Sequence, residues 1–199
     1  MEGKMTGLDI ALQFINDYAP NGLTPFARQK TTVFYDLAHV AAPVGAIVEL
    51  GSYLGFGTVP LCYGAQDGNG NDVFAVDAYA PMNGWIGEPY GPSNEEWFWK
   101  NTALANVYPF LIKEDVLDAE RKCDYPVSLL VHDLGSLNRM PKDVMAWERH
   151  VIVGGTIAVR DIDDYRMGTE EAVGGLIATG RWGLRKNWPA FITSVERIA

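Results

Sequence analysis

The stretch Glu49-Leu50-Gly51-Ser52-Tyr53-Leu54-Gly55-Phe56-Gly57-Thr58 constrains this chain more than any other. It follows a short apolar run over 46–50 and opens a segment over 58–65 whose residues suit a helix. A strand that turns through glycines into a helix puts the turn outside the carboxyl end of a sheet. There, backbone lacking a Cβ can approach a ligand closely. Twenty residues past Gly57, Asp77 stands at the end of the next apolar run, where a carboxylate can accept from two ribose hydroxyls. The spacing predicts a nucleoside-bearing ligand.

The flanking pattern gives the architecture. Further apolar runs at 72–76, 109–113, 127–131 and 156–159 read as strands, the last preceded by Gly154-Gly155. Helical segments are expected between them at 93–106 and 142–150, with another at 169–179. Short apolar runs alternating with helices predict βαβ units and a doubly wound, mostly parallel α/β sheet of Rossmann-like type. The runs 182–186 and 190–196, separated by Asn187-Trp188-Pro189, are expected to pair antiparallel and close the sheet. Two helices precede the first strand. Leu8, Leu12 and Ile15 mark one, and Phe26, Val33, Phe34, Leu37 and Val40 mark another over 25–42. A length of 199 residues suits a single domain, with 1–42 as helices and 46–197 as core.

Two ligand classes share this plan. A dinucleotide site wants Gly-x-Gly-x-x-Gly, but Gly55-x-Gly57 leads here to Pro60. The turn instead resembles the first motif of the class I S-adenosylmethionine-dependent methyltransferases, with the acidic Glu49 two residues before Gly51 and then Gly55 and Gly57. The resemblance runs over about residues 25–197. It is nearest to the small-molecule O-methyltransferases of the sugar and macrolide type. Val131-His132-Asp133 matches that family's strand-end Asp, and Gly154-Gly155-Thr156 through Arg160-Asp161 matches its glycine pair, strand and following acid.

The resemblance implies that Glu49, Gly51, Ser52, Tyr53, Gly55, Gly57 and Thr58 surround the methionine end of S-adenosylmethionine. It gives Asp77 and Ala78 to the ribose, Asp115 and Val116 to the adenine, and a place beside the cofactor to Asp133. Catalysis would fall to Asp133 and Asp161, with His132 as a candidate base. Asp133 and Asp161, with Asp163 or Asp164, offer hard oxygen ligands that suit Mg²⁺, which would orient an acceptor hydroxyl and lower its pKa.

Asp133-Leu134-Gly135-Ser136-Leu137-Asn138 lacks the second functional residue that many of these relatives carry after the strand-end Asp. That gap keeps open a binding protein that has lost its chemistry. A dinucleotide-dependent oxidoreductase is the more distant alternative.

A formal charge of -9 argues against nucleic acid or an anionic membrane as partner. No apolar run is long enough to span a bilayer, no signal peptide is evident, and Cys62 and Cys123 lack metal spacing. A cytoplasmic protein acting on a small molecule is expected. Between Tyr79 and Trp99 an aromatic-rich stretch containing Trp85 reads either as a lid over the site or as a homodimer contact.

Overall fold

The computed structural model describes residues 5–81, 91–134, 139–160 and 167–199. Two helices lead, α1 (Gly7–Tyr18) and α2 (Pro25–His39). Thr6 and Asp9 form a capping box on α1, and the Thr24 side chain with Pro25 behind it caps α2. Then follow β1 (Ala46–Leu50), α3 (Thr58–Asp67), β2 (Val73–Val76), α4 (Pro92–Leu104), β3 (Phe110–Ile112), α5 (Val116–Lys122) and β4 (Val127–His132). The remainder is α6 (Met140–Trp147), β5 (Val151–Arg160), α7 (Met167–Ala178), β6 (Trp182–Trp188) and β7 (Ile192–Arg197).

The strands form one sheet in the order β3-β2-β1-β4-β5-β7-β6, with β7 antiparallel to both neighbours. The expected parallel sheet with an antiparallel closing pair is therefore what the chain builds. Every residue of β1 and β4 is buried, as central parallel strands covered on both faces must be. Side chains alternate between two cores. Ile47, Leu129 and Val131 pack with α1, α2 and α3, whereas Val48, Leu50 and Leu130 pack with α5, α6 and α7.

Differences from the expected elements have physical causes. Helix α5 was not anticipated, although Asp115 caps it and Arg121 and Lys122 occupy its last turn. Strand β5 starts at Val151 rather than 156, because the Gly154-Gly155 pair is absorbed as an irregularity in the ladder with β4, Gly154 taking φ 81°.

One contact positions the site. A Cβ on Gly64 of α3 would strike the Tyr35 carbonyl oxygen and lie 2.9 Å from Ala38 Cβ. The bare glycine thus lets α2 settle closely on α3. That seating carries the middle of α2 over the carboxyl ends of β1 and β4, the point where strand order reverses and α/β sheets bind ligands.

Candidate active site

The turn after β1 uses its glycines for different reasons. Gly51 and Gly55 take φ 92° and 84°, the left-handed region that side chains avoid, and Tyr53 joins them at φ 48°. A Cβ on Gly51 would also meet the Leu134 side chain at 2.8 Å. One on Gly55 would face Phe98 and Thr102 at 3.3 Å, so its requirement is conformational and lies away from the open end of the sheet. Gly57 has an ordinary φ of −85°. Its Cβ would fall on Glu49 Oε1, with Phe34 Cε2 at 3.1 Å and Asp133 Oδ2 at 3.3 Å.

Asp77, 5% exposed beyond β2, is fixed against this turn. Its Oδ2 accepts from the Tyr53 backbone N–H at 3.0 Å and its Oδ1 from that of Tyr79 at 3.1 Å. The buried Tyr79 ties the same loops together, its hydroxyl donating to the Tyr53 carbonyl at 2.8 Å and lying 3.0 Å from Ser52 Oγ. Ala78 sits between them, partly buried.

A charged cluster lies beside the turn. Glu49 is wholly buried; Thr58 Oγ1 donates to its Oε2, and its Oε1 has no hydrogen-bond partner among the described residues. Burial, reinforced by the nearby negative charge of Asp133, pushes the Glu49 carboxyl up to about 8. Asp133 follows β4 and is held by Lys30 of α2 through Oδ2 and by Arg160 of β5 through Oδ1. Burial works against its charge, but Arg160 and Lys30 outweigh it and hold the carboxyl below the usual range. Burial pulls the Lys30 ammonium below the usual lysine range, against the attraction of Asp133.

These residues suit S-adenosylmethionine. A buried carboxyl oxygen without a hydrogen-bond partner among the described residues, beside the glycine turn, matches an ammonium-bearing ligand. Both oxygens of Asp133, expected as one of the Mg²⁺ ligands, are engaged by Lys30 and Arg160. Asp161, Asp163 and Asp164 lie outside the described residues, as does Trp85 with the rest of 82–90.

His132 and Asp115 have protein partners of their own. His132 is fully buried beneath α6, with Nε2 3.5 Å from Asp143 Oδ2, on the face of β4 opposite Asp133. Its burial against Asp143 does not favour the reading of it as the base. Asp115 caps α5 by accepting from the Leu117 N–H at 3.0 Å and takes a two-pronged contact from Arg139 at 2.9 and 3.1 Å. Val116 packs into the core, its carbonyl accepting from Trp147 Nε1 at 3.0 Å. Of the aromatic stretch, Tyr79 and Phe98 are buried, while Trp97 and Trp99 are about half exposed.

The sequence reading missed Lys30 and Arg160 as members of the site. Lys30 carried a signal: it occupies the apolar stripe of α2 between Phe26 and Phe34, at helical spacing, where a cation has no reason to sit unless it has a partner.

A family profile described as a methyltransferase domain matches residues 48–162, more than half of the chain. The chain belongs to this methyltransferase family and is a class I, S-adenosylmethionine-dependent enzyme by fold and family. No curated protein matches it. Among solved structures, a protein of Corynebacterium glutamicum superposes with a TM-score of 0.70 at 12% identity, over 100% of this chain and 92% of that one. An SAH-bound methyltransferase of Podospora anserina gives 0.65 at 12%, over 100% and 90%. The O-methyltransferase from Bacillus cereus in complex with SAH gives 0.64 at 16%, over 99% and 93%. The family match sets aside the oxidoreductase alternative. Among the described residues no helix is long and apolar enough to cross a membrane.

Proposed function

We propose that this enzyme moves the methyl group of S-adenosylmethionine to a hydroxyl oxygen of a small molecule. The observation that carries the reading is the buried, unpartnered Glu49 Oε1 beside the glycine turn, with Asp77 fixed at the next strand end. On this reading Glu49 meets the ammonium of the methionine moiety and Asp77 accepts from the ribose hydroxyls. The likeness to the Bacillus cereus O-methyltransferase supports an oxygen acceptor, and the formal charge of -9 supports a small molecule over a nucleic acid.

Bound S-adenosylmethionine supplies an activated methyl on a sulfonium, transferred by in-line attack as the S–C bond breaks and the O–C bond forms. The chain's task is then to position the acceptor and favour its ionised oxygen, the proton leaving to solvent. Lys30, held on Asp133 as a cation, is suited to favour that oxyanion.

Titration calorimetry with S-adenosylmethionine, S-adenosylhomocysteine and NAD tests the cofactor. The first two should bind and NAD should not. Asp77→Ala should weaken both by at least about tenfold, or about 1.4 kcal/mol. Equal affinity in a folded Asp77→Ala variant would overturn the assignment.

A further inference from the structure

We propose that Arg160, with Phe26 and Phe191 beside it, binds the carboxylate of a hydroxylated aromatic acid, the acceptor whose hydroxyl is methylated. The inference deepens the methyl-transfer reading and rests on it for the fate of the hydroxyl.

Three independent observations converge on that corner of the molecule. The Arg160 side chain is 10% exposed and its Nε donates to Asp133. Among the described residues its two Nη atoms make no hydrogen bond, yet neither is fully shut from solvent. A guanidinium presents donors in a planar fork, and the edge formed by the two Nη atoms is the one that grips a carboxylate with parallel bonds. The local charge asks for an anion as well. Lys30 and Arg160 share the single charge of Asp133, while Glu49 is largely protonated at neutral pH, so the cluster is cationic inside an acidic protein.

The walls are aromatic. Phe26 of α2 lies with its ring 6.0 Å from Arg160 Cζ, and the Phe191 ring is 6.4 Å from that of Phe26. Both rings stay substantially exposed, 39% and 47%, although each is a large apolar group beside a nearly buried charge. Phe191 reaches that place at a conformational cost. Ala190 and Phe191 take φ 60° and 56° in the turn between β6 and β7, and the ladder pairs Arg160 with the next residue, Ile192. Consecutive non-glycine residues in the left-handed region are rare and tend to persist at ligand sites. A sugar hydroxyl array would find few polar partners between two phenyl rings. A flat ring with a carboxylate finds apolar faces for the one and a fork for the other.

The test uses the full chain and the 2-, 3- and 4-hydroxybenzoates, each paired with its neutral hydroxybenzamide. Binding is measured with and without saturating S-adenosylhomocysteine, so the acceptor subsite is read whether or not the cofactor reading holds. At least one hydroxybenzoate should bind about tenfold or more tightly than its amide. Arg160→Lys, which keeps a cation for Asp133 but lacks the fork, should erase most of that preference. Phe191→Leu, a change at an exposed turn, should weaken acid and amide alike. The proposal is overturned if no acid outbinds its amide in either condition. It is also overturned if Arg160→Lys lowers S-adenosylhomocysteine affinity while the preference for the acid persists, which would assign the fork to the methionine carboxylate. Failure of S-adenosylhomocysteine to bind with the acid preference intact would instead sink the cofactor reading alone.

Discussion

Glu49→Gln isolates the most unusual group in the site. The folded protein holds a proton on Glu49 up to about pH 8, whereas the unfolded chain releases it near 4.5. Between those values the folded state binds more protons than the unfolded one, so stability falls as pH rises through the window and levels off above it. Each pH unit is worth about 1.4 kcal/mol, which makes the loss roughly 2 kcal/mol between pH 6 and 8. The glutamine keeps an oxygen for Thr58 Oγ1 and carries no titration. Urea unfolding of both proteins across that range should therefore show the wild type losing this stability relative to Glu49→Gln. A ligand ammonium beside Oε1 favours the ionised carboxyl, so S-adenosylmethionine binding at pH 7 should release protons, read from the dependence of binding heat on buffer ionisation. Parallel unfolding curves would mean that Glu49 is already ionised in the folded protein, and the reasoning about its burial would fail.

Gly57→Ala tests crowding, since this position has an ordinary φ and a Cβ there falls on Glu49 Oε1. Thermal or urea unfolding should show a loss of about 1–3 kcal/mol despite the better helix propensity of alanine, together with weaker S-adenosylhomocysteine binding. Asp133→Asn should cost about 3–5 kcal/mol in the same assay by leaving Lys30 and Arg160 without their shared counter-charge. Chelation with EDTA should leave the rate of S-adenosylhomocysteine production unchanged; a loss restored by Mg²⁺ would return Asp133 to the role of a metal ligand.

Much of the fold was legible because its signals are local. Buried strands such as β1 and β4 are mostly apolar runs, and the glycine turn sits where one of them meets a helix. Helix α5 escaped because its seven residues offer only Val116, Leu117 and Ala119 as apolar residues, too few for a period to emerge. The start of β5 escaped because paired glycines usually break a strand, and only its ladder with β4 shows that this pair does not. At the site, Glu49 and Asp77 could be found by spacing from the glycines. The partnership of Lys30, Asp133 and Arg160 could not, since it joins residues 103 and 27 positions apart through the seating of α2 on the sheet. His132 shows the converse: its chemistry suggested a base, but the alternation of β4 turns it to the far face.

The close fit of α2 on Gly64 has an implication for how such an enzyme changes its preference. Phe26 and Lys30 precede the segment 48–162 shared with the family, and Phe191 follows it, while the glycine turn and Asp77 lie within. Apart from Arg160, which lies within that segment, the proposed acceptor contacts are thus separable from the part that grips the nucleoside, and they can be exchanged as a leading helix and a closing hairpin. The exchange has one strict condition. An incoming helix must present a small residue where Ala38 now stands, only 2.9 Å from where a Cβ on Gly64 would lie, because a larger one would lift the helix from α3 and withdraw its cation from Asp133. A chimera that respects position 38 should keep cofactor binding and acquire its donor's acceptor, and one that ignores it should lose both.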